Sequence, residues 1–181
     1  MLFSQLLLNK HGGYVMNIEI QKRRNDIRKA MRHWLKTEHW DLAATFTFAD
    51  EVSQPTAQKI IKKYWVIVDN RLYGNEVQRR KRRCNRINIV EGGKYGTRIH
   101  IHSAIQRPDD MFQNNNEFCH FLTELWQEHF GRHFKIQISS LYAADGWTRY
   151  ITKNVGRADC DTVDVYSSHI AAKHSLNTLS Q

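Results

Sequence analysis

The chain has 181 residues, which is long enough for one well-packed domain and short for two. Hydrophobic residues make up 41% of it, and no apolar run approaches the roughly 20 residues that a membrane-spanning helix needs. The 27 Lys and Arg residues outnumber the 18 Asp and Glu residues and give a formal charge of +9. This excess favours a polyanionic partner, with nucleic acid as the first candidate, although many small basic proteins bind none.

The N-terminal region contains a brief apolar stretch, Leu6–Leu8, but lacks the basic segment and small-residue cleavage site of a secretory signal. Met16 is an alternative start. Cys84, Cys119 and Cys160 are too widely spaced for a disulfide framework or a Cys-x-x-Cys zinc site. These features predict free thiols in a reducing compartment, a cytoplasmic location and no membrane partner.

Residues 18–40 are predicted to form a basic amphipathic helix that precedes the folded domain, with apolar residues at helical spacing. These are Ile27, Met31, Trp34 and Leu35. Its basic face favours phosphate contact slightly over a merely solvated surface. Residues 41–48, rich in Thr and Phe, are a predicted strand with a scaffolding role. Ser53 is the predicted N-cap of a helix that begins near Pro55 and buries an apolar stripe including Tyr64.

The densest run of positive charge follows Gly74 and Asn75, and it is predicted to lie on a loop or at the entry to the next strand. Its members are Arg79, Arg80, Lys81, Arg82 and Arg83, with Arg86 just beyond. Such a run supplies salt-sensitive affinity for phosphates that does not depend on base sequence. A solubilising surface is the alternative interpretation.

Residues 87–90 and 98–106 are predicted strands of a hairpin with a glycine-rich turn at 92–97. In the second strand His100 and His102 alternate with isoleucines, so both imidazoles share one face while the isoleucines enter the core. Two neighbouring imidazoles can hold one metal ion. Two ordinary strand histidines are the alternative, because a His-x-His pair alone is not specific.

Glu91 ends the first of these strands beside His100. Strict alternation puts Glu91 on the same face as the apolar Ile87 and Ile89, which leaves the orientation of its carboxylate open. A bulge at the glycines would resolve the conflict.

Residues 116–130 are predicted to form a helix that stops at Gly131, and residues 134–142 alternate as a strand. Asp145 is predicted to cap the next helix, which ends near Gly156. Two of its residues, Tyr150 and Lys153, are three positions apart and should face the same way. Residues 163–166 are a predicted last strand.

Strands and helices in this order predict an α+β fold with a central antiparallel sheet flanked by helices. The predicted regions are an N-terminal extension and helix at 1–40, a main folded domain at 41–170 and a polar tail at 171–181. No Gly-x-x-x-x-Gly-Lys phosphate loop appears, so no nucleotide cofactor is expected.

Three motifs, in this order, resemble those of the HUH endonucleases, specifically the rolling-circle replication initiators. They are Ala44-Thr45-Phe46-Thr47-Phe48, His100-Ile101-His102 and Tyr150-Ile151-Thr152-Lys153. Each motif is weak singly, but their order over residues 41–157 makes the resemblance fairly specific. It implies a sheet of about five strands with helices on both faces, in which residues 41–48 are the middle strand. A single-tyrosine enzyme is implied, because Asn154 occupies the position of a second tyrosine.

The chemistry implied by the resemblance is nicking and joining of single-stranded DNA through a 5′-phosphotyrosine. Glu91, His100 and His102 are the expected ligands of Mn²⁺ or Mg²⁺, a donor set that leaves coordination positions for phosphate oxygens. Tyr150 is the expected nucleophile, and Lys153 is expected to favour the phenolate or to hold the phosphate.

The expected substrate is single-stranded or hairpin origin DNA of a plasmid or phage, with a host helicase and polymerase acting in trans. Arg149 and the basic run are the expected DNA contacts. A single-tyrosine transposase would use similar residues, but Tyr-x-x-Lys and the early Thr-Phe-Thr-Phe strand disfavour it. Relaxases usually carry three clustered histidines, and no third histidine adjoins His100 and His102. A non-catalytic single-strand binder, from a different class, would lack metal dependence.

Overall fold

A computed structural model describes residues 3–48, 51–92, 98–131, 134–141, 144–153 and 163–171. Its elements in chain order are α1 (Phe3–Thr37), β1 (Leu42–Thr47), α2 (Gln54–Tyr73), α3 (Glu76–Arg79), β2 (Arg86–Glu91), β3 (His100–Ile105), α4 (Asn115–Phe130), β4 (Lys135–Ser140) and α5 (Ala144–Ile151). Among the described residues, no helix is long and apolar enough to cross a membrane.

The chain forms two compact units. The first contains residues 1–39 and 143–162, and the second contains residues 40–142 and 163–181. Residues 144–153, which lie within the stretch predicted as one domain over 41–170, contact α1 in the first unit. Most contacts of each unit lie within that unit.

The first unit pairs α1 with α5. The side chain of Arg32 ties them together, since its Nε donates to Thr152 Oγ1 at 2.9 Å. Thr148, Ile151 and Thr152 are buried and lie at helical spacing. Their burial leaves the other side of this segment exposed. The predicted end of α5 near Gly156, and the predicted role of Asn154, lie outside the described residues.

In the second unit, the strand order is β2-β3-β1-β4 and every pairing is antiparallel. β1 lies in the interior of this sheet, as the motif resemblance implies. The hairpin of β2 and β3 is also as predicted. The α+β class and the antiparallel sheet are thus confirmed, and the described residues give four strands where about five were expected.

Gly92 follows β2 with a φ of 98°, and a Cβ built there would lie 2.2 Å from the carbonyl oxygen of Arg98. A side chain at this position would collide with backbone, so the hairpin requires glycine here. The predicted turn beyond it, at residues 93–97, lies outside the described part of the chain.

One face of the sheet carries the apolar core, against which α2 and α4 pack. The rings of Phe46, Tyr64 and Trp126 meet with centroid separations of 4.9–5.4 Å. Tyr64 donates its hydroxyl to the Leu122 carbonyl at 2.8 Å, which satisfies a buried phenol. Tyr64 and Trp65 are therefore packing residues, as predicted. Ser53 caps α2, because its Oγ accepts the Thr56 amide at 3.3 Å.

Residues 163–171 run along the outer edge of β2 and bridge it at two points, Ile89 with Val163 and Arg86 with His169. The strand predicted at 163–166 is wrong, because Asp164 turns the chain there. Its carboxylate accepts the Tyr166 amide at 3.1 Å and the Ser167 hydroxyl at 2.5 Å. A side chain that bonds the local backbone in this way competes with a strand ladder.

Arg86, at the start of β2, is buried rather than presented to a partner. Its guanidinium forms a bidentate pair with Asp69, with both distances 3.0 Å. It also donates Nε to the Ser167 carbonyl at 2.8 Å and lies 4.7 Å from the Trp65 ring centroid. With 3% of its surface exposed, Arg86 has no face left for phosphate. The prediction that Arg86 contacts DNA is corrected on this ground.

Two cysteines in the described part of the chain, Cys84 and Cys119, are free thiols, as predicted. Burial raises the pKa of the Cys84 thiol to about 12, so it stays protonated and unreactive at neutral pH. Cys160 lies outside the described residues.

Removing one partner of the Asp69–Arg86 pair should leave an uncompensated buried charge. We expect Asp69→Ala to lower the free energy of unfolding by about 3–5 kcal/mol in urea titrations. The matched control is Arg71→Ala, which breaks an ion pair with Glu128 at 3.7 Å whose partners are both 55% exposed. That change should cost less than about 1 kcal/mol. Equal losses in both variants would contradict a structural role for Asp69.

Candidate functional site

The sheet face opposite the core carries the predicted histidines. Residues paired in register point to the same face, so the pairings define rows that cross all four strands. Glu91, His100, Thr47 and Lys135 form one row, and Ile89, His102, Thr45 and Gln137 form the next. Ile99 and Ile101 are buried, as predicted.

Glu91 lies on the histidine face. Its Oε2 is 2.9 Å from Nε2 of His102, and in register it is the partner of His100. The conflict raised by strict alternation disappears, because Ile87 and Ile89 are buried on the histidine face itself rather than on the core face. No bulge is needed to bring the carboxylate to the imidazoles.

Two threonines of β1 support the two histidines from the neighbouring strand. Thr45 Oγ1 lies 3.1 Å from Nδ1 of His102, and Thr47 Oγ1 lies 3.3 Å from Nδ1 of His100. Each threonine is the register partner of the histidine it contacts. From sequence, this strand was expected to have only a scaffolding role. The signal for the additional role is the Thr-Phe-Thr-Phe alternation, which buries the rings and directs both hydroxyls to the histidine face.

The Thr45 hydroxyl suits either tautomer of His102, because a hydroxyl both donates and accepts. An ionised Glu91 carboxylate can only accept a hydrogen bond, so Nε2 of His102 carries the proton that it donates to Glu91. In a neutral ring, Nδ1 then accepts a hydrogen bond from the Thr45 hydroxyl. A cation bound at Nε2 needs the lone pair there, which moves the proton to Nδ1 and reverses the hydrogen bond to Thr45. The Glu91 contact and a metal bond at Nε2 are therefore alternatives.

The donor types of this cluster suit a divalent cation, because imidazoles and a carboxylate are ordinary Mn²⁺ ligands. Among the described residues, however, no group of three or more His, Cys, Asp or Glu side chains is arranged to hold a metal ion as it stands. Glu91 touches His102 and neighbours His100 in register. The strands fix the backbone positions of Glu91, His100 and His102. Their side chains would have to rotate for all three to coordinate one ion.

Tyr150 and Lys153 lie on the exposed side of α5 and the turn that follows it, in the first unit. Tyr150 is 50% exposed, and the Lys153 ammonium lies 4.0 Å from the centroid of its ring. This contact confirms that the two side chains face the same way. Arg149 is exposed on the same helix.

The basic run is only partly available to a partner. Arg82 is bonded to Asp110 and, at 3.1 Å, to Glu76, and it lies 4.5 Å from the Tyr73 ring centroid. Its hydrogen bond lowers the pKa of Asp110. Arg83 lies 3.7 Å from Asp69.

The first three residues of the run, Arg79, Arg80 and Lys81, are exposed. Arg79 ends the short helix α3, so the run begins on a helix rather than on the predicted loop. Lys81 has a φ of 57°, which turns the chain sharply after it. The Arg80 side chain is 76% exposed, and its 3.5 Å approach to Glu76 is a surface contact.

Comparisons of the chain with protein-family models, with curated proteins and with solved structures gave no match. The fold places the protein in the α+β class with an antiparallel sheet. The candidate site is therefore characterised by the geometry of its own residues.

A change of tautomer at His102 can be followed by nuclear magnetic resonance. In the absence of divalent ions, the ¹⁵N shifts of His102 should show a protonated Nε2, and diamagnetic Mg²⁺ should move the proton to Nδ1. Thr45→Ser keeps a hydroxyl and should give the same Mg²⁺ titration as the wild type. Thr45→Val should lower the Mg²⁺ affinity, read from the shift change, about 10-fold or more. An identical response in Thr45→Val would mean that Thr45 does not support the ring.

Proposed function

We propose that this protein is a metal-dependent endonuclease that nicks and rejoins single-stranded DNA through a covalent link to Tyr150. The observation that carries the proposal is the cluster on the sheet face, in which both histidines are bonded at Nδ1 by threonines and Glu91 bonds His102 at Nε2. Bonding at Nδ1 is how proteins orient imidazoles whose Nε2 binds a metal.

Glu91, His100 and His102 would hold the cation in this proposal. A bound Mn²⁺ or Mg²⁺ supplies Lewis-acid polarisation of the scissile phosphate and offsets charge that develops on its oxygens. The chain contributes three strands in fixed register and two threonine hydroxyls that bond the imidazoles at Nδ1.

Tyr150 supplies the nucleophile. Its phenolic oxygen loses its proton and attacks phosphorus, the P–O3′ bond breaks, and the electron pair leaves with O3′, which takes up a proton, so that no net proton is consumed. The products are a 5′-phosphotyrosine and a free 3′-OH, and reversal of the same step rejoins the strand. The half-exposed phenol is accessible to a phosphate. Lys153, 4.0 Å from the ring, is positioned to offset negative charge on the phenolate or on the phosphate.

The biological role that this chemistry serves best is initiation of rolling-circle replication of a plasmid or phage. The free 3′-OH primes synthesis, and the covalent link stores the bond for religation. Host helicase and polymerase would act in trans, in the cytoplasm. In an HUH-type sheet, residues 163–171 would take the place of the fifth strand, a view supported by their two bridges to β2.

Removing only the hydroxyl of Tyr150 should separate chemistry from binding. We expect Tyr150→Phe to bind DNA almost normally, yet to form neither nicked product nor a denaturant-resistant protein–DNA adduct with labelled single-stranded DNA and Mn²⁺. Tyr166→Phe is the matched control, since Tyr166 is 77% exposed and lies outside the proposed chemistry. It should form the adduct at the wild-type rate.

Nicking by Tyr150→Phe would make water the nucleophile and would remove the replication-initiator assignment. DNA binding with no metal dependence and no adduct in the wild type would instead identify a non-catalytic single-strand binder.

Arg79 and Arg80, at the exposed start of the basic run, should dominate its contribution to DNA affinity. Arg79→Ala and Arg80→Ala together should reduce the slope of log K against log[salt] by about 0.7 for each phosphate that the variant no longer neutralises. Arg82→Ala is the control, because Arg82 is bonded to Asp110 and Glu76 and should leave the slope unchanged. An unchanged slope in the double variant would make the run a solubilising surface.

A further inference from the structure

A cavity of about 360 Å³ in the second unit is lined by residues of β1, α4 and β4 and by Gly131 and Phe134 between α4 and β4. Its lining includes Thr45 and Thr47 of β1 and Lys135 and Gln137 of β4, and these four residues lie in the two histidine rows. Thr45 and Thr47 are the register partners of His102 and His100, so the cavity lies one strand away from the two histidines. Its volume lies in the range of sites that take a small organic group.

Two aromatic residues of the core, Phe134 and Trp126, are part of the cavity lining, together with Gln127, Gly131 and Ile136. Phe134 is half-buried there, and Trp126 behind it donates Nε1 to the Phe134 carbonyl at 2.9 Å, which fixes the backbone at the start of β4. Gly131 ends α4 with a φ of 71°, and no heavy atom lies within 4 Å of where its Cβ would be. The absence of a side chain at this corner keeps the space beside β4 open.

The outer wall is polar and accessible. β4 is an edge strand, and Lys135 and Gln137 are exposed on it. Lys135 provides a point positive charge, whereas the Gln137 amide provides donors and an acceptor in one plane. An aromatic wall, a planar amide and a cation are the three groups that a nucleotide engages through its ring face, its base edge and its phosphate.

We propose that this cavity binds a base of single-stranded DNA next to the phosphate at His100 and His102. Phe134 supports the ring, Gln137 bonds the base edge and Lys135 contacts the adjoining phosphate. The inference rests on the proposed function in taking DNA as the ligand. It adds a base-binding subsite to a face whose other groups address only phosphate and metal.

Binding without cleavage tests this subsite directly. Fluorescence anisotropy in EDTA would compare base-bearing homopolymers, oligo-dA, oligo-dT and oligo-dC, with an abasic oligomer of the same length. The wild type should bind at least one homopolymer about fivefold or more tightly than the abasic strand, as expected for a base stacked on an aromatic group.

Gln137→Trp should fill the cavity and bring this affinity ratio close to one. Ser139→Trp is the matched control, because Ser139 is exposed on the same face of β4 two residues away and does not line the cavity. It should keep the wild-type ratio. Lys135→Ala should weaken binding of abasic and base-bearing strands equally, whereas Lys62→Ala, an exposed lysine on α2, should weaken neither.

A wild-type ratio near one, or a Gln137→Trp variant with the wild-type ratio, would overturn the subsite even if the Tyr150 adduct forms. Base-dependent binding that Gln137→Trp abolishes, in a protein that forms no adduct, would support the subsite and remove the endonuclease proposal.

Discussion

The antiparallel register of β1 and β3 is the constraint on which the candidate site depends. It sets Thr45 opposite His102 and Thr47 opposite His100, so each imidazole meets a hydroxyl from the next strand. A slip of one residue would send both threonines to the core face and Phe46 to the histidine face. The buried Phe46, enclosed by Tyr64 and Trp126, makes that slip costly. Core packing on one face thereby fixes polar geometry on the other.

A different interaction, the buried ion pair of Asp69 and Arg86, positions β2. This pair connects α2 to the first residue of β2, and Arg86 also bonds the segment that covers the strand edge. Glu91 lies at the far end of the same strand, where it meets His102. Arg86, a basic residue that was predicted to contact phosphate, thus stabilises the fold. Glu91, at the opposite end of the same strand, belongs to the candidate site.

Much of this arrangement could be predicted from local sequence, and the failures have identifiable physical causes. The capped helix at Ser53 and the histidine hairpin followed from caps and periodicity, whereas the interior position of β1 followed from the motif resemblance. Burial of Arg86 could not, because it depends on Asp69, which is distant in sequence. The turn at Asp164 depends on one side chain bonding its own backbone, which overrides strand propensity. The orientation of the Glu91 carboxylate could not be predicted from alternation, because Ile87 and Ile89 on the same face suggest a core face. This sheet buries apolar residues on both faces.

The central claim is that His100 and His102 are metal ligands, and Mn²⁺ binding followed by electron paramagnetic resonance tests it most directly. Free Mn²⁺ gives a strong signal that disappears on binding, so titration yields stoichiometry and affinity without DNA or turnover. We predict a single tight site per chain in the wild type, abolished in His100→Ala and in His102→Ala, with His120→Ala unchanged because His120 is exposed on α4 beside Glu124. Wild-type Mn²⁺ binding in both His100→Ala and His102→Ala would contradict the assignment of these histidines as ligands.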